Sequence, residues 1–270
     1  NTVVLPQTPA ENHTESAPAS AEPAQTTPET NAFHLEYEQT ALPEPLSSVT
    51  ALTMLEETLL LGGVSETGLA LVRLTPEGRS EELPLPGSTE YLYALCPDGA
   101  GGAWLLCGSL PKGYFDAFGN FRFLSQEPEG KLALAHYDAA FALQEIVLLQ
   151  TLYTDRFFQL RRLDGGFCMM SASLLVRLDE TGAETARQSL DAKDGWSFAA
   201  MQETDGVLYA LTQNFYAIEL PELRKFTPDT LSALESDVCT SEITGLGLRA
   251  DGRLLMGNSE ELFAYDTGSG

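Results

Sequence analysis

A β-propeller of about five four-stranded blades is the fold this sequence predicts, and three observations carry it. The first is a recurring unit, an acidic turn followed by a tight apolar triplet. Its copies are Glu57-Thr58 with Leu59-Leu60-Leu61, Asp98-Gly99 with Trp104-Leu105-Leu106, and Asp164-Gly165 with Phe167-Cys168-Met169. Asp205-Gly206 with Val207-Leu208-Tyr209 and Asp251-Gly252 with Leu254-Leu255-Met256 follow. The acidic anchors stand at 57, 98, 164, 205 and 251, so the spacings are 41, 66, 41 and 46 residues. The second observation is an apolar strand before each turn: Val49–Leu55, Tyr91–Cys96, Phe157–Leu163, Phe198–Gln202 and Ile243–Leu248. The third is a further strand after each triplet, several ending in a Thr-Gly turn such as Asp179-Glu180-Thr181-Gly182. Period, strand length and turn chemistry agree on one radial sheet per unit.

Taken in order, the third strands read as Leu69–Leu74, Leu132–Asp138, Leu174–Asp179, Phe215–Leu220 and Leu262–Asp266. Fourth strands read as Ser80–Leu85, Glu145–Leu149 and Glu184–Leu190, with Leu223–Phe226 as a weaker one. Alternation is blurred in the inner strands, as expected where both faces of a sheet pack on neighbours. Thr227-Pro228-Asp229 predicts a short helix, with an N-cap, a Pro at the first helical position and Leu231 and Leu234 as its apolar side. The propeller is expected over 32–270, with blades starting near 47, 88, 152, 194 and 238.

This strand, Asp-Gly, apolar triplet, strand, Asp-x-Thr-Gly grammar resembles bacterial propellers of the quinoprotein-like and WD-type repeat superfamilies, over roughly residues 33–268. The resemblance is one of repeat architecture. The sequence lacks the Trp-Asp dipeptide and the tryptophan-docking motif of those families, so no catalytic signature carries over. The fifth unit ends at its third strand. Either the strand-like segment Phe33–Glu38 completes it and closes the ring, or the chain belongs to a larger propeller continuing beyond Gly270.

Residues 1–31 contain no Lys, Arg or aromatic residue, while Pro6, Pro9, Pro18, Pro23 and Pro28 stand among Thr, Ser, Ala and Glu. Such a segment buries too little apolar surface to offset its ordering entropy, which predicts a disordered tether. A tether of this kind suits an exported or cell-surface bacterial domain, with a lipid anchor outside this chain, as at the N-terminal part of a larger solute-binding lipoprotein. No apolar run reaches the length of a membrane span.

The chain carries 15 basic and 39 acidic residues, a formal net charge of −24. A surface so acidic repels phosphate backbones and anionic headgroups, which excludes nucleic acid as a partner. Four cysteines, Cys96, Cys107, Cys168 and Cys239, form no C-x-x-C pair, and the expectation is buried free thiols. Cys96 and Cys107 fall on two arms of one predicted hairpin, which leaves a cross-strand disulfide as the alternative. Three histidines without metal-ligand spacing, no G-x-S-x-G and no phosphate loop leave no catalytic residues, metal or cofactor to assign.

Candidate binding residues come from topology. In a propeller, the loops joining the second strand to the third and one blade to the next share a face opposite the Asp-Gly turns. The 66-residue spacing holds an insertion on that face, with Lys112, Tyr114, Phe115, Asp116, Phe118, Asn120 and Arg122 interleaving aromatic and polar groups. Two inter-blade loops bring Tyr153, Asp155 and Arg156, and Asp194 with Trp196. Aromatic faces with orienting polar groups suit a protein partner, a carbohydrate or a small solute. The leading expectation is therefore a non-enzymatic binding or scaffold module. The alternative is a carbohydrate- or lactone-acting enzyme that uses the carboxylates of Asp116, Asp155 and Asp194.

Overall fold

The computed structural model of the protein describes residues 41–87, 89–109, 113–115, 121–123, 131–191, 194–216, 219–239, 242–249, 251–258 and 261–265. The tether read over 1–31 and the segment Phe33–Glu38 lie outside these residues. Blade 1 is built of β1 (Leu46–Leu55), β2 (Thr58–Ser65), β3 (Gly68–Leu74) and β4 (Ser80–Leu83). Blade 2 has β5 (Tyr91–Pro97) and β6 (Ala103–Gly108), then a separate hairpin of β7 (Gly113–Phe115) and β8 (Phe121–Phe123), then β9 (Leu132–Tyr137) and β10 (Leu143–Leu148). Blade 3 comprises β11 (Phe157–Leu163), β12 (Gly166–Ser171), β13 (Leu174–Asp179) and β14 (Glu184–Ser189). β15 (Trp196–Thr204), β16 (Val207–Asn214), β17 (Glu222–Phe226) and β18 (Asp237–Val238) make blade 4. Blade 5 holds β19 (Gly245–Leu248), β20 (Leu254–Gly257) and β21 (Leu262–Ala264) among the described residues. The fold is all-β, a five-bladed propeller whose blades are mostly four-stranded.

Every blade is an antiparallel meander, and the first strands are neighbours in the order β1, β5, β11, β15, β19. The acidic turns close the first hairpin of each blade. Asp205 and Gly206, between Thr204 and Val207, have φ of 53° and 72°. Both central residues of this two-residue turn are therefore left-handed, the geometry that matches strand twist and favours Asp-Gly. In blade 2 the turn is longer, and the Asp98 carboxylate caps it by accepting the amides of Ala100 and Gly102 at 2.7 and 2.8 Å.

β12 explains why its sequence shows no polar alternation. All six of its residues are buried, with Phe167 and Met169 facing the core shared with blade 2 and Cys168 and Met170 facing blade 4. Comparable cores fill the junctions between blades 1 and 2 and between blades 4 and 5. Burial of this kind contributes roughly 1.5–3 kcal/mol per large apolar side chain, and it supplies most of what holds adjacent blades together.

Side chains also cross the junctions. Thr50 Oγ1 donates to Leu92 O at 2.9 Å, and the amide of Met201 donates to Gln159 Oε1 at 2.6 Å. Thr204 Oγ1 donates to Gly252 O at 2.7 Å, tying blade 4 to blade 5. Within blade 3, the buried Arg177 guanidinium donates to the carbonyls of Phe167, Leu178 and Asp164. Gly166 makes room for it, since a Cβ there would lie 2.5 Å from Arg177 Nη1 and 2.1 Å from Leu178 O.

The structure corrects three sequence expectations, the third and the fourth strand of blade 4 and the helix at 227. The third strand of blade 4 is β17, not Phe215–Leu220, and Leu223–Phe226 belongs to that third strand rather than to a fourth. The chain leaves β16 because Asn214 Oδ1 accepts the Tyr216 amide at 2.9 Å, a local bond that competes with the ladder. Thr227–Leu234 is a hairpin turn rather than a helix. Thr227 Oγ1 takes the Ser232 amide, Leu231 adopts φ 50° and is fully buried, and Phe226 bridges Ala233. The same Thr-Pro-Asp chemistry that starts helices also starts turns, and burial of Leu231 between blades 3 and 4 decides between them. Cys96 faces Trp104 and Cys107 faces Leu92, so the two thiols are not cross-strand partners, and all four cysteines are free and buried. Burial pushes the Cys96 thiol up to about 12 and Cys107 up to about 11.

Candidate functional site

Because strands alternate in direction, the β12–β13 and β16–β17 loops emerge at the same end of the propeller as the segments entering β11 and β15. The sequence supports this locally with small or polar residues after each strand end. Ala172 O accepts the Phe198 amide at 2.8 Å, which pins the β12–β13 loop to the start of blade 4. Gly195 O accepts the Phe215 amide at 3.0 Å, and Asn214 Nδ2 donates to Asp194 O and to Glu219 Oε2.

These bonds bring Ala172, Ser173, Gly195, Trp196, Ser197, Phe215 and Tyr216 around one open depression of roughly 310 Å³. Phe215 is 71% and Tyr216 82% exposed, while Trp196 is half-buried. Gly195, with φ 78°, is needed here: a Cβ would meet Tyr216 Cδ2 at 2.5 Å and Asn214 Oδ1 at 2.7 Å. Arg224 lies over the Trp196 ring with its guanidinium carbon 5.5 Å from the centroid, and its other partner is Glu222 at 3.0 Å. One side of the indole is thus occupied by the protein's own cation.

The sequence-derived candidates take different positions. Asp155 adjoins the depression through Ser173, whose Oγ donates to Asp155 Oδ1 at 2.6 Å, with Ser171 Oγ at 3.3 Å. Asp194 is exposed at the rim, and among the described residues no bond joins its carboxylate to that of Asp155. Arg156 is exposed, on the side of Tyr93. Tyr153 is buried, its hydroxyl donating to Glu184 Oε2 at 2.7 Å and its ring set edge-on to Phe157. The Arg187 guanidinium, bonded twice to Glu184, holds that carboxyl below its usual range, and burial pushes the Tyr153 phenol up. Tyr153 is therefore a packing residue in this structure.

The insertion forms the hairpin β7–β8, with Tyr114 opposite Arg122 and Phe115 opposite Phe121. Lys112, Asp116, Phe118 and Asn120 lie outside the described residues. Its stalk is held by the Ser109 amide on Lys131 O at 3.1 Å. Phe215 and Tyr216, the most exposed aromatics of the depression, fall in Phe215–Leu220, which the repeat pattern predicts as a strand. The signal was present: two adjacent aromatics between Asn214 and Pro221, a turn former and a strand breaker.

Among the described residues, no three His, Cys, Asp or Glu side chains come together in a geometry that holds a metal ion. No helix among them is long and apolar enough to cross a membrane.

No family model matches this chain, and no curated protein matches it. Solved structures do. BBS1N, solved in complex with ARL6DN, aligns with a TM-score of 0.50 and 16% identity over 85% of this chain and 68% of its own. The β-propeller domain of Myceliophteria thermophila Cps50 (Swd1) aligns with a TM-score of 0.49 and 18% identity, covering 82% of this chain and 67% of that one. The extracellular domain of B. thetaiotaomicron BT4673 gives 0.49 and 14% over 86% of this chain, which spans only 29% of that protein. At these identities the similarity is one of fold alone.

Proposed function

We propose that this chain is a non-enzymatic binding or scaffold module of an exported or cell-surface bacterial protein. Its contact face would be the one that carries Trp196, Phe215 and Tyr216. The observation that carries the reading is the 71% and 82% exposure of Phe215 and Tyr216 beside a half-buried Trp196. Large aromatics left in water next to an open depression are the composition of interface anchors. The depression is shallow and mostly apolar, which suits a protein surface or the face of a sugar ring better than an enclosed metabolite. The hairpin β7–β8 rises from the same end of blade 2 and would extend that face. The exported location rests on the Pro-rich, cation-free composition of residues 1–31.

The test compares the wild-type chain with the double variant Phe215→Ser plus Tyr216→Ser on a glycan array and against bacterial envelope fractions. Binding that the wild type shows and the variant loses, at equal melting temperature, supports this face. Equal binding by both removes it from the account.

A further inference from the structure

We propose that a second, separate cavity at the inner edge of blades 1, 2 and 3 binds a small organic anion, a carboxylate carried on an apolar body, with Arg161 as its counter-charge. The cavity, roughly 390 Å³, is lined by Val49–Leu52 of β1, Ala94 and Leu95 of β5, and Phe158–Arg161 of β11. It shares no residue with the aromatic depression, so it stands independently of the function proposed above.

A repeated backbone device shapes it. In β1, β5, β11 and β15 the register to the second strand slips by one residue, leaving Thr50, Tyr93, Phe158 and Ala199 unpaired. A bulge re-aims the side chain that it carries. Two of these residues, Thr50 and Phe158, line this cavity, and β1 slips once more at Ser47. Phe158 is 41% and Leu52 62% exposed, so the inner edge of the sheets presents apolar surface to an open space.

The charge balance of the lining is opposite to that of the chain. The protein has 39 acidic residues, yet among the described residues lining this cavity no carboxylate occurs and Arg161 is the one charged side chain. Three other cations are neutralised on the spot: Arg162 by Glu180 at 2.7 Å, Arg187 by Glu184 at 2.7 Å, Lys225 by Asp237 at 2.8 Å. Among the described residues Arg161 has only a neutral acceptor, Nε donating to Met201 O at 3.4 Å, and no carboxylate pairs with it. Burial lowers its pKa, the sign of a desolvated cation lacking a counter-charge. A guanidinium offers five donors in a planar fork, and one bond to Met201 leaves the rest for a ligand carboxylate. Leu52 and Phe158 would cover the apolar body of that ligand, and the field of the surrounding carboxylates would hold out polyanions.

The probes are benzoate and its uncharged isostere benzamide, followed by saturation-transfer NMR with the intact chain. The expected result is benzoate binding at least about tenfold tighter than benzamide, lost by about tenfold or more in Arg161→Gln. Arg161 also bonds blade 4, so a second variant guards against misfolding. Leu52→Glu places a carboxylate in the same cavity at an exposed position and is expected to abolish benzoate binding while leaving the melting temperature unchanged. The proposal is overturned by benzamide binding as tightly as benzoate, by benzoate binding that survives Leu52→Glu in a folded chain, or by no benzoate binding to the wild type.

Discussion

The two ends of the propeller treat their polar and aromatic residues in opposite ways. At the turn end, side chains are bonded to their own loops. Asp98 caps the 98–102 turn and accepts from His136 Nε2 at 2.9 Å, while His136 stacks on Trp104 at 4.4 Å. Asp179 takes the amides of Thr181 and Ala183 in the same manner. At the loop end, Asp155 and Asn214 are also tied down, but the aromatics beside Asn214 stay in water. Repeated Asp residues in this protein are thus hinges of the fold, and the non-repeated aromatics are what remains available for contact.

This contrast can be broken from the turn side first. Phe167→Ala should cost the most, about 3–5 kcal/mol in chemical denaturation, because the ring is fully buried between Trp104 and the blade 2 core. Arg177→Met should cost about 1–3 kcal/mol by the same measurement, since three carbonyl acceptors near the Asp164 turn lose their donor.

Asp98→Asn sharpens the comparison through pH. Burial pushes the Asp98 carboxyl up, but the bond from His136 and the amides of Ala100 and Gly102 outweigh it, and the net pKa falls below the ordinary 3.8. A carboxyl depressed by folding stabilises the native state above that value and loses its contribution as pH falls through the folded pKa. The stability gap between wild type and Asp98→Asn should therefore be full at about pH 6 and narrower at about pH 3. A gap that widened on acidification would show the carboxylate to be unimportant in the turn.

The smallest effect on stability is expected at the other end. Phe215→Ser with Tyr216→Ser should change unfolding free energy by about 0.5 kcal/mol or less, because both rings are already solvated. A loss of several kcal/mol would mean that these rings serve packing rather than contact.

How much of this was legible follows from the range of the forces involved. The Asp-Gly turns and apolar triplets are local, and backbone sterics at positions such as Gly206, φ 72°, state their geometry in two adjacent residues. The placement of Trp196, Asp155 and Asp194 at one end is legible because loop order in a repeat fold assigns loops to ends. Tyr153 reads as a loop residue but is buried, because its partner Glu184 lies 31 residues away. Thr227–Leu234 carries helix-start signals that a turn satisfies equally, and only the core it meets separates the two outcomes.

Composition, turn chemistry and period determined by themselves the all-β class, the repeat and the acidic net charge. Those properties depend on contacts within a few residues or on summed charge. Tertiary structure alone decided that Phe215 and Tyr216 stand in water beside Trp196, and that Arg161 lines a cavity whose described lining residues include no carboxylate. Both depend on which blades become neighbours, and that is set by packing between segments some forty residues apart.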